Sequence, residues 1–170
     1  VNGLEIIGKR LDEARITISG AGASAISCAE LMIRLGARRE NIILVDTRGV
    51  VYKGRLDGMN KYKERLANDT DARTLADAVR GADVFYGLSI ADILKPQMVK
   101  TMAENPLIFA MANPDPEIKY ELAREARPDA IVANGVNAAN PHYENGPEGA
   151  TLRKGDVLLV DLWSRESEDA

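Results

Sequence analysis

The 170-residue chain is long enough to bury a core and calls for no second domain. With 45% hydrophobic residues, 28% charged residues and seven prolines its composition is ordinary, which excludes a disordered or fibrous protein. A net charge of −4, with basic residues scattered among acids, speaks against a nucleic-acid partner.

No stretch approaches the roughly 18 apolar residues of a membrane span, and the first residues lack the basic-then-apolar pattern of a secretory signal. Cys28 is the one cysteine, so no internal disulfide forms, and the expected setting is a reducing cytoplasm. Its helical, apolar-flanked position reads as core. The one histidine, His142, lies too far along the chain to support a cysteine nucleophile.

In chain order, Leu4, Ile6, Ile7 and Leu11 recur at near-helical spacing and read as the end of a helix that began upstream. Residues 15–26 follow as an apolar run, closely spaced glycines and a resumed helical period, which is strand, turn and helix. Such a turn lets backbone approach a phosphate, and the following helix aims its free N–H groups and positive dipole end at the same place. A dinucleotide pyrophosphate is therefore expected at Gly20 and Gly22, with Ala23, Ser24 and Ala25 opening the helix. Gly36 closes that helix.

Residues 41–46 form a continuous apolar run, the pattern of a strand buried on both faces, ending in Asp46. That acid stands about 26 residues beyond Gly20, against about 20 in the usual fingerprint, where it accepts from the adenosine ribose hydroxyls. An aspartate after a strand also caps turns; coupled to the glycine turn, the ribose role is preferred. Residues 47–55 read as a polar loop and the stretch to Asp71 as loop and short helix. Beyond it come a short helix from Thr74, a strand at 83–89, a proline-started helix at 96–102, a strand at 106–112, a helix at 117–126 and a fifth strand at 129–133. This alternation predicts an α/β fold, a doubly wound parallel sheet with helices on both faces. Right-handed crossovers put Gly20, Asp46, Ser89 and Asn113 at one edge of it. Residues 134–147 are crowded with turn formers, and 156–163 read as an added C-terminal edge strand before a charged, fraying end.

Gly20-Ala21-Gly22-Ala23-Ser24-Ala25, the run from Asn41 through Asp46-Thr47-Arg48-Gly49-Val50-Val51-Tyr52-Lys53-Gly54-Arg55, and Asp69-Thr70-Asp71-Ala72-Arg73-Thr74-Leu75 resemble the cofactor domain of bacterial malic enzymes. So do Gly87-Leu88-Ser89 and Phe109-Ala110-Met111-Ala112-Asn113-Pro114-Asp115-Pro116-Glu117-Ile118, and the likeness is nearly continuous over 4–133. It implies a Rossmann-like NAD(P)-binding domain of an oxidoreductase that oxidatively decarboxylates malate with a divalent metal. It also implies that the catalytic tyrosine, lysine and metal-binding acids come from a preceding domain, so no catalytic or metal residue carries over. Asn113 is the candidate on the nicotinamide side; its other reading is an asparagine fixing the turn before Pro114. The family's glycine-arginine-serine segment and paired asparagines do not follow Ala133 here.

The tail instead resembles Xaa-Pro aminopeptidase-like metallopeptidases of the pita-bread fold, on Asn137-Ala138-Ala139-Asn140-Pro141-His142-Tyr143 and the run from Leu152-Arg153-Lys154-Gly155 through the apolar stretch to Trp163. That likeness would make His142 a substrate binder and Asp161 a metal ligand, but one carboxylate does not hold a two-metal site. Two resemblances meeting near Asn134 suggest a chimera: one Rossmann-like domain over 1–170 carrying an appendage at 134–170. Three functional expectations stay open. The chain is a dinucleotide-binding module inactive by itself, a scaffold with no working ligand site, or a cofactor unit acting with a separate substrate domain or in a homo-oligomer. NAD is favoured, since Asp46 would repel a ribose 2′-phosphate, while Arg48 keeps NADP open.

Overall fold

The computed structural model describes residues 2–133. Along the chain run α1 (Asn2–Ile6), β1 (Ile16–Ser19), α2 (Ala23–Arg34), β2 (Ile42–Asp46), β3 (Gly49–Val50) and α3 (Lys61–Leu66). They are followed by α4 (Leu75–Val79), β4 (Val84–Gly87), α5 (Pro96–Val99), β5 (Leu107–Ala110), α6 (Tyr120–Ala126) and β6 (Ile131–Ala133). The sheet order is β3-β2-β1-β4-β5-β6, parallel throughout except for β3, which pairs antiparallel with β2.

The register explains why the strands are apolar along their whole length. Ile42, Ile16, Val84, Leu107 and Ile131 stand side by side, as do Leu44, Ile18, Tyr86 and Phe109, and these rows face α1, α2 and α3. The alternate positions, Ile43, Thr17, Phe85, Ile108 and Val132, face α4, α5 and α6. Helices thus cover both faces and leave no polar face to the sheet. Each fully buried Ile, Leu or Phe contributes roughly 1.5–3 kcal/mol. The polar member of the second set, Thr17, is satisfied because its hydroxyl donates to the Ala78 carbonyl at 2.7 Å, tying β1 to α4. A reciprocal capping box between Thr74 and Asp77 starts α4.

From β1 the chain winds through α2 to β2, then returns through α3 and α4 to β4 on the other side of β1. The strand order therefore reverses beside β1, where the C-terminal edge of an open α/β sheet has its crevice.

Three expectations change. Residues 47–55 are not all loop: Gly49 and Val50 pair with Asp46 and Val45 and make the sheet edge. Gly49 carries that turn at φ +103, where a Cβ would strike the Arg73 carbonyl, the acceptor for the Val50 amide. The helix from Pro96 spans only Pro96–Val99. The next begins at Tyr120, not 117, because the Glu117 and Ile118 side chains turn into the core instead. The expected edge strand at 156–163, and the readings of His142 and Asp161, lie outside the described residues.

Candidate functional site

The glycine turn forms the centre of the site. Gly20 leaves β1 at φ +128, its amide donates to the Val45 carbonyl at 2.7 Å, and a Cβ there would lie 2.7 Å from the Leu88 carbonyl. The turn is thus squeezed between the ends of β2 and β4, and only glycine fits. Gly22 differs: it is the N-cap of α2 in extended conformation, and among the described residues a Cβ there meets nothing within 4 Å. No contact among the described residues calls for a glycine at this position, and the backbone there is open to approach.

Above Gly22 the first turn of the 12-residue α2 presents the amides of Ala23, Ser24 and Ala25, and among the described residues none of the three has an acceptor. The first bond of the helix is Ile26 to the Gly22 carbonyl at 3.0 Å. Open donors at a positive dipole end, over a glycine that leaves room, are the chemistry of a phosphate seat. Gly22 and Ser24 are exposed there, whereas Ala25 is buried and contributes its amide and the smallness that lets α2 settle on β1.

At the end of β2, Asp46 is surrounded. Its Oδ1 accepts from the Arg48 amide at 2.9 Å and Arg55 Nη1 at 3.0 Å, and its Oδ2 from Arg55 Nη2 and from Lys63 Nζ at 2.6 Å. Burial pushes this carboxyl up, but the hydrogen bonds from Arg55, Lys63 and the Arg48 amide outweigh it and hold the pKa at about 2. The Arg55 guanidinium also donates to the carbonyls of Gly49 at 3.1 Å and Val50 at 2.9 Å. Its Nε is the one buried side-chain polar atom without a partner among the described residues. The Arg48 side chain reaches outward, pairs with Asp57 and is exposed.

On the other side of β1, Glu117 joins two strand exits. Its carboxylate is fully buried; Oε1 accepts from the Ser89 amide at 2.9 Å after β4 and Oε2 from the Ala112 amide at 3.0 Å after β5. The two hydroxyls of Ser19 and Ser89 share a 2.8 Å hydrogen bond, so the chain of contacts runs from β1 to β5. Room for it comes from Gly87, which stands between Ser19 and Ala110 in the sheet; a Cβ on Gly87 would strike the carboxylate. The Asn113 side chain, next along, is exposed and has no hydrogen-bond partner among the described residues.

The edge thus brings Gly20, Gly22, Ala23, Ser24, Ala25, Asp46, Arg48, Ser89 and Asn113 to the C-terminal ends of adjacent strands. Sequence reasoning missed Arg55, Lys63 and Glu117. A charged strand tip flanked by buried positions signals a need for counter-charges, and the Arg55 and Lys63 partners follow 9 and 17 residues on. Glu117 was hidden by reading it as the start of a helix. An open groove, lined by Leu4, Lys9, Leu11, Leu35 and Gly36, lies at the opposite edge and holds none of these groups. Among the described residues no three His, Cys, Asp or Glu side chains converge as metal ligands, and no helix is long and apolar enough to cross a membrane.

Residues 1–151 match the sequence family described as malic enzyme, NAD binding domain. The chain is 55% identical over 135 residues to an NAD-dependent malic enzyme of Rhizobium meliloti, covering 79% of this chain and 18% of that protein. It is 53% identical over 135 residues to an NADP-dependent malic enzyme of Halomonas elongata, covering 79% of this chain and 32% of that protein. Among solved structures, the NAD-dependent malic enzyme of Thermotoga maritima superposes with a TM-score of 0.71 at 34% identity, over 79% of this chain and 37% of that one. The malic enzyme of Entamoeba histolytica gives 0.71 at 31% identity, over 81% and 32%. The chain therefore spans between about a fifth and a third of the curated relatives it matches. The family match crosses residue 134, where the change of resemblance was expected, and supports neither the peptidase likeness of the tail nor a chimera. A glycine turn under free helix amides, at the reversal point of a parallel sheet, is what the match over most of the sequence would require, and the chain belongs to the malic enzyme NAD-binding domain family.

Proposed function

We propose that this chain holds NAD(P) along the C-terminal edge of the sheet, as the cofactor-binding part of an oxidoreductase that decarboxylates malate to pyruvate. The observation that carries the reading is the set of three free amides of α2 above open space at Gly22. In this reading Gly20 and Gly22 shape the pyrophosphate seat, the amides of Ala23, Ser24 and Ala25 bind it, and Ala25 keeps α2 close to β1. Asp46 and Arg48 lie at the adenosine ribose, and Ser89 and Asn113 at the nicotinamide side. When bound, the nicotinamide ring supplies the hydride acceptor. The base, the acid and the divalent metal belong to a substrate domain, in the same polypeptide or in a partner copy, and the setting is the cytoplasm.

The test is calorimetric titration of NADH into the chain. Saturable one-to-one binding is expected, and Gly22→Val should abolish it while costing the fold under about 1 kcal/mol, since only N-cap quality changes. Absence of binding by the unaltered chain, or undiminished binding by Gly22→Val, refutes the reading.

A further inference from the structure

We propose that the adenosine end of the cleft reads charge through Lys63 and Arg48 rather than through Asp46, so that the chain accepts a ribose 2′-phosphate at least as well as a free 2′-hydroxyl. The inference rests on the dinucleotide reading above and names the selectivity of that site.

A carboxylate at a strand tip selects an unphosphorylated ribose in two ways: its free lone pairs accept from the hydroxyls, and its charge repels a phosphate. Asp46 does neither. A carboxylate offers about four lone-pair sites, and those of Asp46 are taken by the Arg48 amide, two nitrogens of Arg55 and Lys63 Nζ. Its side chain is only 10% exposed. The charge is reversed as well: Asp46 and Asp57 stand against Arg48, Arg55 and Lys63, which leaves one positive charge in excess.

The three cations differ in what remains to them. Arg55, 5% exposed, is spent on Asp46 and on two strand carbonyls, and it neutralises the carboxylate from below. Lys63 uses two of its three N–H donors, on Asp46 and on the Gly58 carbonyl at 2.9 Å, and its third has no acceptor among the described residues, on a side chain 15% exposed. Arg48 lies over Gly58, where a Cβ would come within 2.8 Å of Arg48 Cδ, so the loop holds it in place. Its pairing with Asp57, itself 79% exposed, is a solvated ion pair worth little, which a phosphate dianion can replace. The ligand chemistry that fits is a phosphate monoester on the ribose, bound by one ammonium and one guanidinium.

The experiment is calorimetric titration of the full chain with NADH and with NADPH at one ionic strength, for the unaltered chain and for Lys63→Met. NADPH is expected to bind no more weakly than NADH. Loss of one charged hydrogen bond should raise the NADPH Kd of Lys63→Met about tenfold while moving the NADH Kd by less than about threefold. Arg48→Ala, an exposed side chain whose amide still serves Asp46, should shift the ratio in the same sense and covers the case in which Lys63→Met fails to fold. Adenosine 2′,5′-bisphosphate should displace bound NADH better than 5′-AMP. NADH binding about tenfold tighter than NADPH, or equal weakening of both by Lys63→Met and by Arg48→Ala, overturns the inference while leaving the dinucleotide reading intact. No saturable binding of either dinucleotide overturns both.

Discussion

Replacing Asp46 with asparagine separates a structural charge from a recognising one. In the folded chain the carboxylate neutralises Arg55, whose guanidinium is 5% exposed and has no other acidic partner among the described residues. Removing it leaves a buried cation facing a neutral amide, and breaking a buried pair from one side costs about 3–5 kcal/mol. That is a large share of the roughly 5–15 kcal/mol that holds a typical domain together. The pH dependence carries an independent signature. The Asp46 pKa is lowered from 3.8 to about 2 in the folded state, so its contribution is present in full above pH 3.8 and is lost as pH falls through 2. At about 1.4 kcal/mol per unit, the stabilisation lost over that window is about 2 kcal/mol. Urea denaturation followed by circular dichroism, at pH 7 and at steps down to pH 2, measures both. The gap between the unaltered chain and Asp46→Asn should be about 3–5 kcal/mol at pH 7 and should narrow by about 2 kcal/mol on acidification. A loss under about 1 kcal/mol at pH 7, or a gap that does not narrow, would refute the buried counter-ion role.

Glu117→Ala should cost about 2–4 kcal/mol in urea denaturation, because the part-buried amide of Ser89 and the buried amide of Ala112 lose their acceptors; hydrogen exchange should quicken first at those two amides, and unchanged exchange there would contradict the assignment. Gly20→Ala places a Cβ 2.7 Å from the Leu88 carbonyl at a φ of +128, so a loss of at least about 2 kcal/mol is expected in the same assay, with a near-neutral result counting against the turn geometry. Thr74→Ala removes the capping box of α4 and should lower stability by about 1 kcal/mol without altering cofactor binding by calorimetry. The Gly22→Val and Lys63→Met titrations complete the set: the first should abolish binding and the second should shift its selectivity.

The sequence by itself determined the order and type of the main elements, since apolar rows and helical periods are local patterns that burial on both faces of a sheet demands. It also determined the glycine turn, because closely spaced glycines after an apolar run mark a backbone free to take a φ closed to other residues, while the Leu88 carbonyl that bars a side chain at Gly20 is brought there by the fold. Tertiary structure decided what the charged residues mean. Asp46 read alone is an acceptor for a ribose and a barrier to phosphate; with Arg55 and Lys63 folded against it, its lone pairs are filled and its charge is cancelled. Glu117 read alone opens a helix; in the fold it joins the exits of β4 and β5 through amides at Ser89 and Ala112. Both outcomes depend on distances between groups separated along the chain. A pattern of residue types reports which face a side chain takes, and the charge left over at a site depends on which groups the fold brings within hydrogen-bonding reach.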